Sequence, residues 1–80
     1  MPNLRRLSGT QVISILGSFG FSVAVQKGSH VKLARLVDGR KQILTVPNHG
    51  EIDTGTLRAI YRQASAYIPE AELRVYFYSE

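Results

Sequence analysis

No cysteine occurs in the 80 residues, so neither a disulfide nor a thiolate-bound zinc can brace the chain, and packing alone must hold it together. A reducing compartment suits such a chain, and the cytoplasm is its expected location. No apolar run is long enough to span a bilayer. Met1 to Arg6 carries two arginines, but the polar Ser8-Gly9-Thr10-Gln11 follows where a secretory signal would turn apolar. Internal repeats and low-complexity segments are lacking too, so residues 1–80 read as one domain with one core. Two histidines without cysteine or a carboxylate cluster do not make a metal site, so neither a metal nor a cofactor is expected.

Acids are nearly missing from the first part of the chain. Residues 1–50 hold seven of the ten Lys and Arg against one acid, Asp38, which is about +6. Residues 51–80 hold three bases against five acids, about −2. The formal total of +4 is therefore concentrated on one part of the chain, and a basic excess of this kind suits a polyanion such as nucleic acid. Within the basic part lies Lys27-Gly28-Ser29-His30, a glycine turn that delivers a histidine to the start of a strand. An imidazole flanked by Lys27 and Lys32 combines a proton-transfer group with two positive charges, which is the equipment for gripping or cleaving a phosphodiester. The plainer reading of a lone hairpin histidine is a solvated or capping side chain.

Around this turn the periodicities describe a scaffold. Ser8-Gly9-Thr10-Gln11 has the form of a capping box, with Leu7 placed to staple onto Val12. Val12, Ile13, Leu16 and Phe19 then form a helical stripe that Gly20 terminates. Phe21, Val23 and Val25 alternate with polar or small residues, predicting a strand buried on one face. A second strand covers His30 to Val37. With Lys27-Gly28-Ser29 as a three-residue loop, Val25 falls opposite Val31 and Val23 opposite Leu33.

Asp38-Gly39 is a two-residue hairpin turn, and Lys41 to Pro47 returns with Val46 opposite Val31 and Leu44 opposite Leu33. The other face then carries Gln26, His30, Lys32 and Thr45. His49 joins it diagonally from His30, about 7–8 Å away, if the strand direction persists past Pro47. Asp53 can cap a helix to about Ala66, with Leu57, Ile60, Tyr61 and Ala64 inward and Arg58 and Arg62 outward. Free amides at Thr54-Gly55-Thr56 offer a phosphate seat as the alternative to an ordinary capped start. Ile68 to Glu72 reads as a short helical turn. Alternation of Leu73, Val75 and Phe77 favours an extended tail to Glu80, although Leu73, Tyr76 and Phe77 also fit a helix face. Extended, the tail exposes Tyr76, Phe77 and Tyr78 as an aromatic anchor for a partner.

The order helix, three antiparallel strands, helix resembles the double-stranded-RNA-binding fold: α+β, both helices on one sheet face, here with a short C-terminal extension. Three stretches make the likeness narrower. These are Gly28-Ser29-His30 at the first hairpin, Val46-Pro47-Asn48-His49 ending the third strand, and Gly55-Thr56-Leu57 with Ile60 and Gln63-Ala64 on the last long helix. Together they resemble the HicA toxin family over about Ser8 to Ala66, whose members are small ribonucleases of toxin–antitoxin pairs. The resemblance implies messenger-RNA cleavage without a metal, an essential histidine at His30, and inhibition by a HicB-type antitoxin. Val31-Lys32-Leu33 follows His30 where the family often has an aromatic or bulky residue, so base stacking on this strand is not implied.

In such a mechanism neutral His30 takes the proton of a ribose 2′-hydroxyl, which attacks the adjacent phosphate, while Lys32 and Lys27 stabilise the added negative charge. His49 or water protonates the leaving oxygen. Lys27, Gly28, Ser29 and Lys32 are the expected RNA contacts. Two other classes compete: a non-catalytic RNA-binding module of the same fold, and an interaction protein that uses the polar sheet face for a partner.

Overall fold

A computed structural model describes residues 2–79; Met1 and Glu80, the last residue of the expected tail, lie outside the described residues. Its elements run β1 (Asn3–Leu4), α1 (Gly9–Gly17), β2 (Ser22–Lys27), β3 (His30–Val37), β4 (Arg40–Pro47), α2 (Thr54–Ala64), α3 (Glu70–Phe77) and β5 (Tyr78–Ser79). The fold is α+β. An antiparallel sheet ordered β2-β3-β4 is joined by a second, two-stranded sheet of β1 and β5. This arrangement is consistent with a double-stranded-RNA-binding-like architecture.

Local chemistry accounts for most boundaries. Ser8 caps α1 in a reciprocal box: its hydroxyl accepts from the Gln11 amide at 3.1 Å, and its own amide donates to Gln11 Oε1 at 2.8 Å. Leu7 and Val12 flank that box and are both buried. Gly20 ends the helix segment at φ 97°, a value that glycine takes without strain. The β3–β4 hairpin turns through Asp38 and Gly39, both left-handed at φ 53° and 75°, as a two-residue turn of the primed type requires. Val31 pairs with Val46 and Leu33 with Leu44, and all four are buried, so the expected register holds for these two strands.

The β2 register differs from the expectation. Gly28 and Ser29 alone make the turn, with Lys27 opposite His30, and the left-handed φ of 57° falls on Gly28. Gln26 therefore pairs with Val31 and lies on the face opposite His30, not beside it. A bulge at Ala24 resets the pairing so that Val23 still meets Leu33, while Val25 meets Lys32 and joins the histidine face. Neither valine is buried: Val23, on the helix side, is 53% exposed because α1 and α2 pack toward β4 and leave β2 as an uncovered edge, and Val25, 46% exposed, lies on the face that no helix covers. Only Phe21 of the expected trio enters the core. The open face is also less polar than expected, since Val25, Leu36 and Ile43 are all exposed on it.

A third helix replaces the expected extended tail. Pro69 precedes α3 with φ −52°. Leu73 and Phe77 then point inward and are completely buried, so packing selects the helical period over the alternating one. Phe77 is thus core, Tyr78 is half-buried, and of the supposed aromatic anchor only Tyr76 is exposed. Arg35, on the helix-covered face, ties the layers together. Its Nε donates to Gln42 at 2.6 Å, and its two terminal nitrogens donate to the carbonyls of Phe19 at 2.6 Å and Tyr67 at 2.7 Å. The guanidinium also lies 4.7 Å from the Phe21 ring centre.

Burial, followed by its hydrogen bond to Glu70 at 2.9 Å, pushes the Tyr61 phenol from near 10 up to about 12. A raised folded-state value contributes stability that is complete below the unfolded pKa and disappears as pH rises through the folded one. Stability to urea is therefore expected to fall between about pH 10 and pH 12, and a Tyr61→Phe variant should lose this part of the alkaline dependence.

Candidate functional site

His30 opens β3 directly after the turn, opposite Lys27 on one ladder and Pro47 on the other. Alternation puts Lys32 on the same face, between Val25 and Thr45. A shallow groove of about 160 Å³ is lined by Val25, Lys27, His30, Lys32 and Thr45. A second, of about 340 Å³, passes from His30 and Thr45 along Pro47 to His49, Asp53 and Thr56. His30 and Thr45 belong to both, so the exposed imidazole stands where the grooves meet. Lys27, Lys32, His30 and His49 are brought together in this way. Gly28 and Ser29 line neither groove and act through backbone: the Gly28 carbonyl accepts from Gln26 Nε2 at 3.3 Å, and the Ser29 carbonyl from the Asn48 amide at 2.6 Å.

His49 does not reach the groove by continuing the strand. β4 stops at Pro47, and the His49 amide donates back to the Pro47 carbonyl at 2.9 Å, which bends the chain. The bend is fixed from both sides. Asn48 bonds to the β2–β3 turn as above, while the His49 carbonyl accepts from the Gly9 amide at 2.8 Å and Asn48 Oδ1 accepts from the Thr10 hydroxyl at 3.2 Å. Gly9 is essential to this approach, because a Cβ there would overlap Asn48 Cα and the Pro47 carbonyl oxygen. Sequence reasoning placed Gly9 only within the capping box and missed its contact with the histidine loop. A glycine at the first helical turn was the one available signal.

Gly9→Ala is accordingly expected to cost roughly 1–3 kcal/mol in a urea melt, since backbone must move to admit the methyl. Gly17→Ala, which meets nothing within 4 Å, should be neutral or slightly stabilising in the same measurement.

The two grooves differ in charge. Among the described residues, the first is lined by two ammonium groups and no carboxylate, and the second by one carboxylate and no lysine or arginine. That carboxylate, Asp53, caps α2: Oδ1 accepts from the Thr56 hydroxyl at 2.8 Å and Oδ2 from the Thr56 amide at 3.0 Å. The hydroxyl bond first and the amide bond second hold the Asp53 carboxyl below the usual carboxylate range, with a smaller contribution from His49. The helix start is thus closed by its own cap, which displaces the phosphate seat considered for Thr54-Gly55-Thr56. Among the described residues no group of three His, Cys, Asp or Glu side chains is placed to hold a metal ion. Among the described residues no helix is long and apolar enough to cross a membrane.

No curated protein and no solved structure matches the chain. The family model described as HicA toxin of bacterial toxin-antitoxin matches residues 9–66. The match starts at the glycine that seats the histidine loop, runs through all three strands of the main sheet and ends just after α2, so it contains every residue that lines the two grooves. With most of its length matched, and with the matched part carrying both histidines, the chain belongs to the HicA toxin family of bacterial toxin–antitoxin systems and has the role of a toxin.

Proposed function

We propose that this toxin is a metal-independent endoribonuclease that cleaves messenger RNA in the cytoplasm, with His30 as the catalytic base. The observation that carries the reading is the position of His30 at the junction of the grooves, with Lys27 and Lys32 on one side and His49 on the other. His30 removes the proton of a ribose 2′-hydroxyl. The oxygen then attacks the neighbouring phosphorus, the bond to the 5′-oxygen breaks, and a 2′,3′-cyclic phosphate and a 5′-hydroxyl end result. The two lysines stabilise the additional negative charge on the phosphate. His49, on the far side of His30 from the lysines, or water returns a proton to the leaving oxygen. Incubation of the purified protein with single-stranded RNA in excess chelator tests this. Cleavage into fragments with cyclic-phosphate ends is expected; binding without cleavage by folded protein would return the non-catalytic RNA-binding reading.

The partner is a HicB-type antitoxin that inhibits by covering this face. A basic, histidine-bearing surface is best masked by carboxylates, which steer association and occupy the phosphate position. Lys32→Glu is therefore expected to weaken the complex and make it less dependent on salt in titration calorimetry at low and high ionic strength. Unchanged affinity of the folded variant would move the antitoxin to another surface.

A further inference from the structure

Charge and hydrogen-bonding capacity divide the two grooves, and this gives a bound strand a direction. Apart from Thr45 and the His30 imidazole, which can each both donate and accept, the polar side chains of the first groove are the two lysine ammonium groups, which only donate and carry positive charge. Phosphate belongs there. The second groove offers Asp53, whose ionised carboxylate only accepts hydrogen bonds and repels phosphate. Each of its oxygens accepts one bond from Thr56, which fixes the carboxylate orientation and leaves further lone pairs for a ligand.

We infer that Asp53 is a specificity-determining residue that accepts a hydrogen bond from the exocyclic amino group of the base immediately 3′ of the scissile phosphate. This rests on the ribonuclease reading above. With the phosphate held by Lys27 and Lys32 and the leaving oxygen on the His49 side, the nucleoside that departs with that oxygen lies in the second groove. Adenine, cytosine and guanine each present an amino group there, and uracil does not. No Phe, Tyr or Trp lines either groove among the described residues, so neither groove carries the large aromatic platform on which every base stacks alike.

The test uses an RNA pool of randomised sequence, cleaved by wild-type protein and by Asp53→Asn, with the new 5′ ends sequenced. Asparagine is as good a helix cap as aspartate, so the variant retains the α2 start while losing the charge and half of the acceptor capacity. Wild-type protein should cut before uracil at least about fivefold less often than before the three amino-bearing bases, and Asp53→Asn should lose most of that difference. Three results overturn the inference while leaving the ribonuclease intact: no discrimination by wild type, unchanged discrimination by the variant, or a variant that cuts every sequence faster by the same factor. The last would show only relief of general repulsion. If wild-type protein cuts no RNA in the pool, the ribonuclease reading itself fails, and the inference with it.

Discussion

His30→Ala is expected to abolish RNA cleavage and the growth arrest it causes while leaving the protein folded. A general base contributes on the order of 10²–10⁴ in rate, so the loss should exceed a hundredfold. The imidazole is exposed and fills no core volume, so removing it leaves the packing untouched. Single-turnover cleavage and a urea melt on the same preparation check both parts, and a folded variant that still cleaves would remove His30 from the mechanism. His49→Ala should lose less, because water can replace a proton donor more readily than a positioned base. Equal losses for the two variants would make a paired acid and base the better description.

The features legible beforehand are those that a few adjacent residues decide. Ser8 and Gln11 specify a helix start whatever lies around them, and Asp38-Gly39 specifies a hairpin turn, which in turn sets the β3–β4 register. The position of His30 after Gly28 belongs to the same class, because only glycine takes that φ cheaply. Long-range contacts decided the rest. The bulge at Ala24 leaves no trace in a stretch of alternating valines, and the helix at Glu70–Phe77 wins over an equally good strand pattern only because Leu73 and Phe77 find a core to fill. His49 reaches the second groove through its own bond to Gly9 and that of its neighbour Asn48 to Ser29, both far away in sequence. Asp53 was legible as a cap; that its carboxylate also forms a groove wall depends on where α2 docks against the sheet.

Phe77→Ala is expected to be the most damaging substitution to stability, at about 3–5 kcal/mol. The ring is fully buried and packs 5.3 Å, centre to centre, from Tyr61, so truncation opens a cavity and also removes an aromatic contact. A loss of this size would approach the whole stability of a chain this small. Phe77 lies beyond residues 9–66, as do the buried Ile68 and Leu73. The unit that folds is therefore longer than the stretch the family model matches. A urea melt of Phe77→Ala decides the matter: a change below about 1 kcal/mol would mean that α3 is not docked as described.

The pairing of Asn3 with Ser79, reinforced by the Arg5 amide on the Phe77 carbonyl at 2.8 Å, also sets a timetable. During synthesis β1 has no partner until β5, some 75 residues later, has followed it, an interval of several seconds at ordinary elongation rates. The three-stranded meander bearing His30 is complete much earlier, since its strands are neighbours in sequence. Ile68, Leu73 and Phe77, which finish the core behind it, are made only after all three of its strands. A nascent chain therefore holds the histidine and its lysines for a time without the packing that makes them a rigid surface, and that surface matures only once residue 77 has emerged from the exit tunnel.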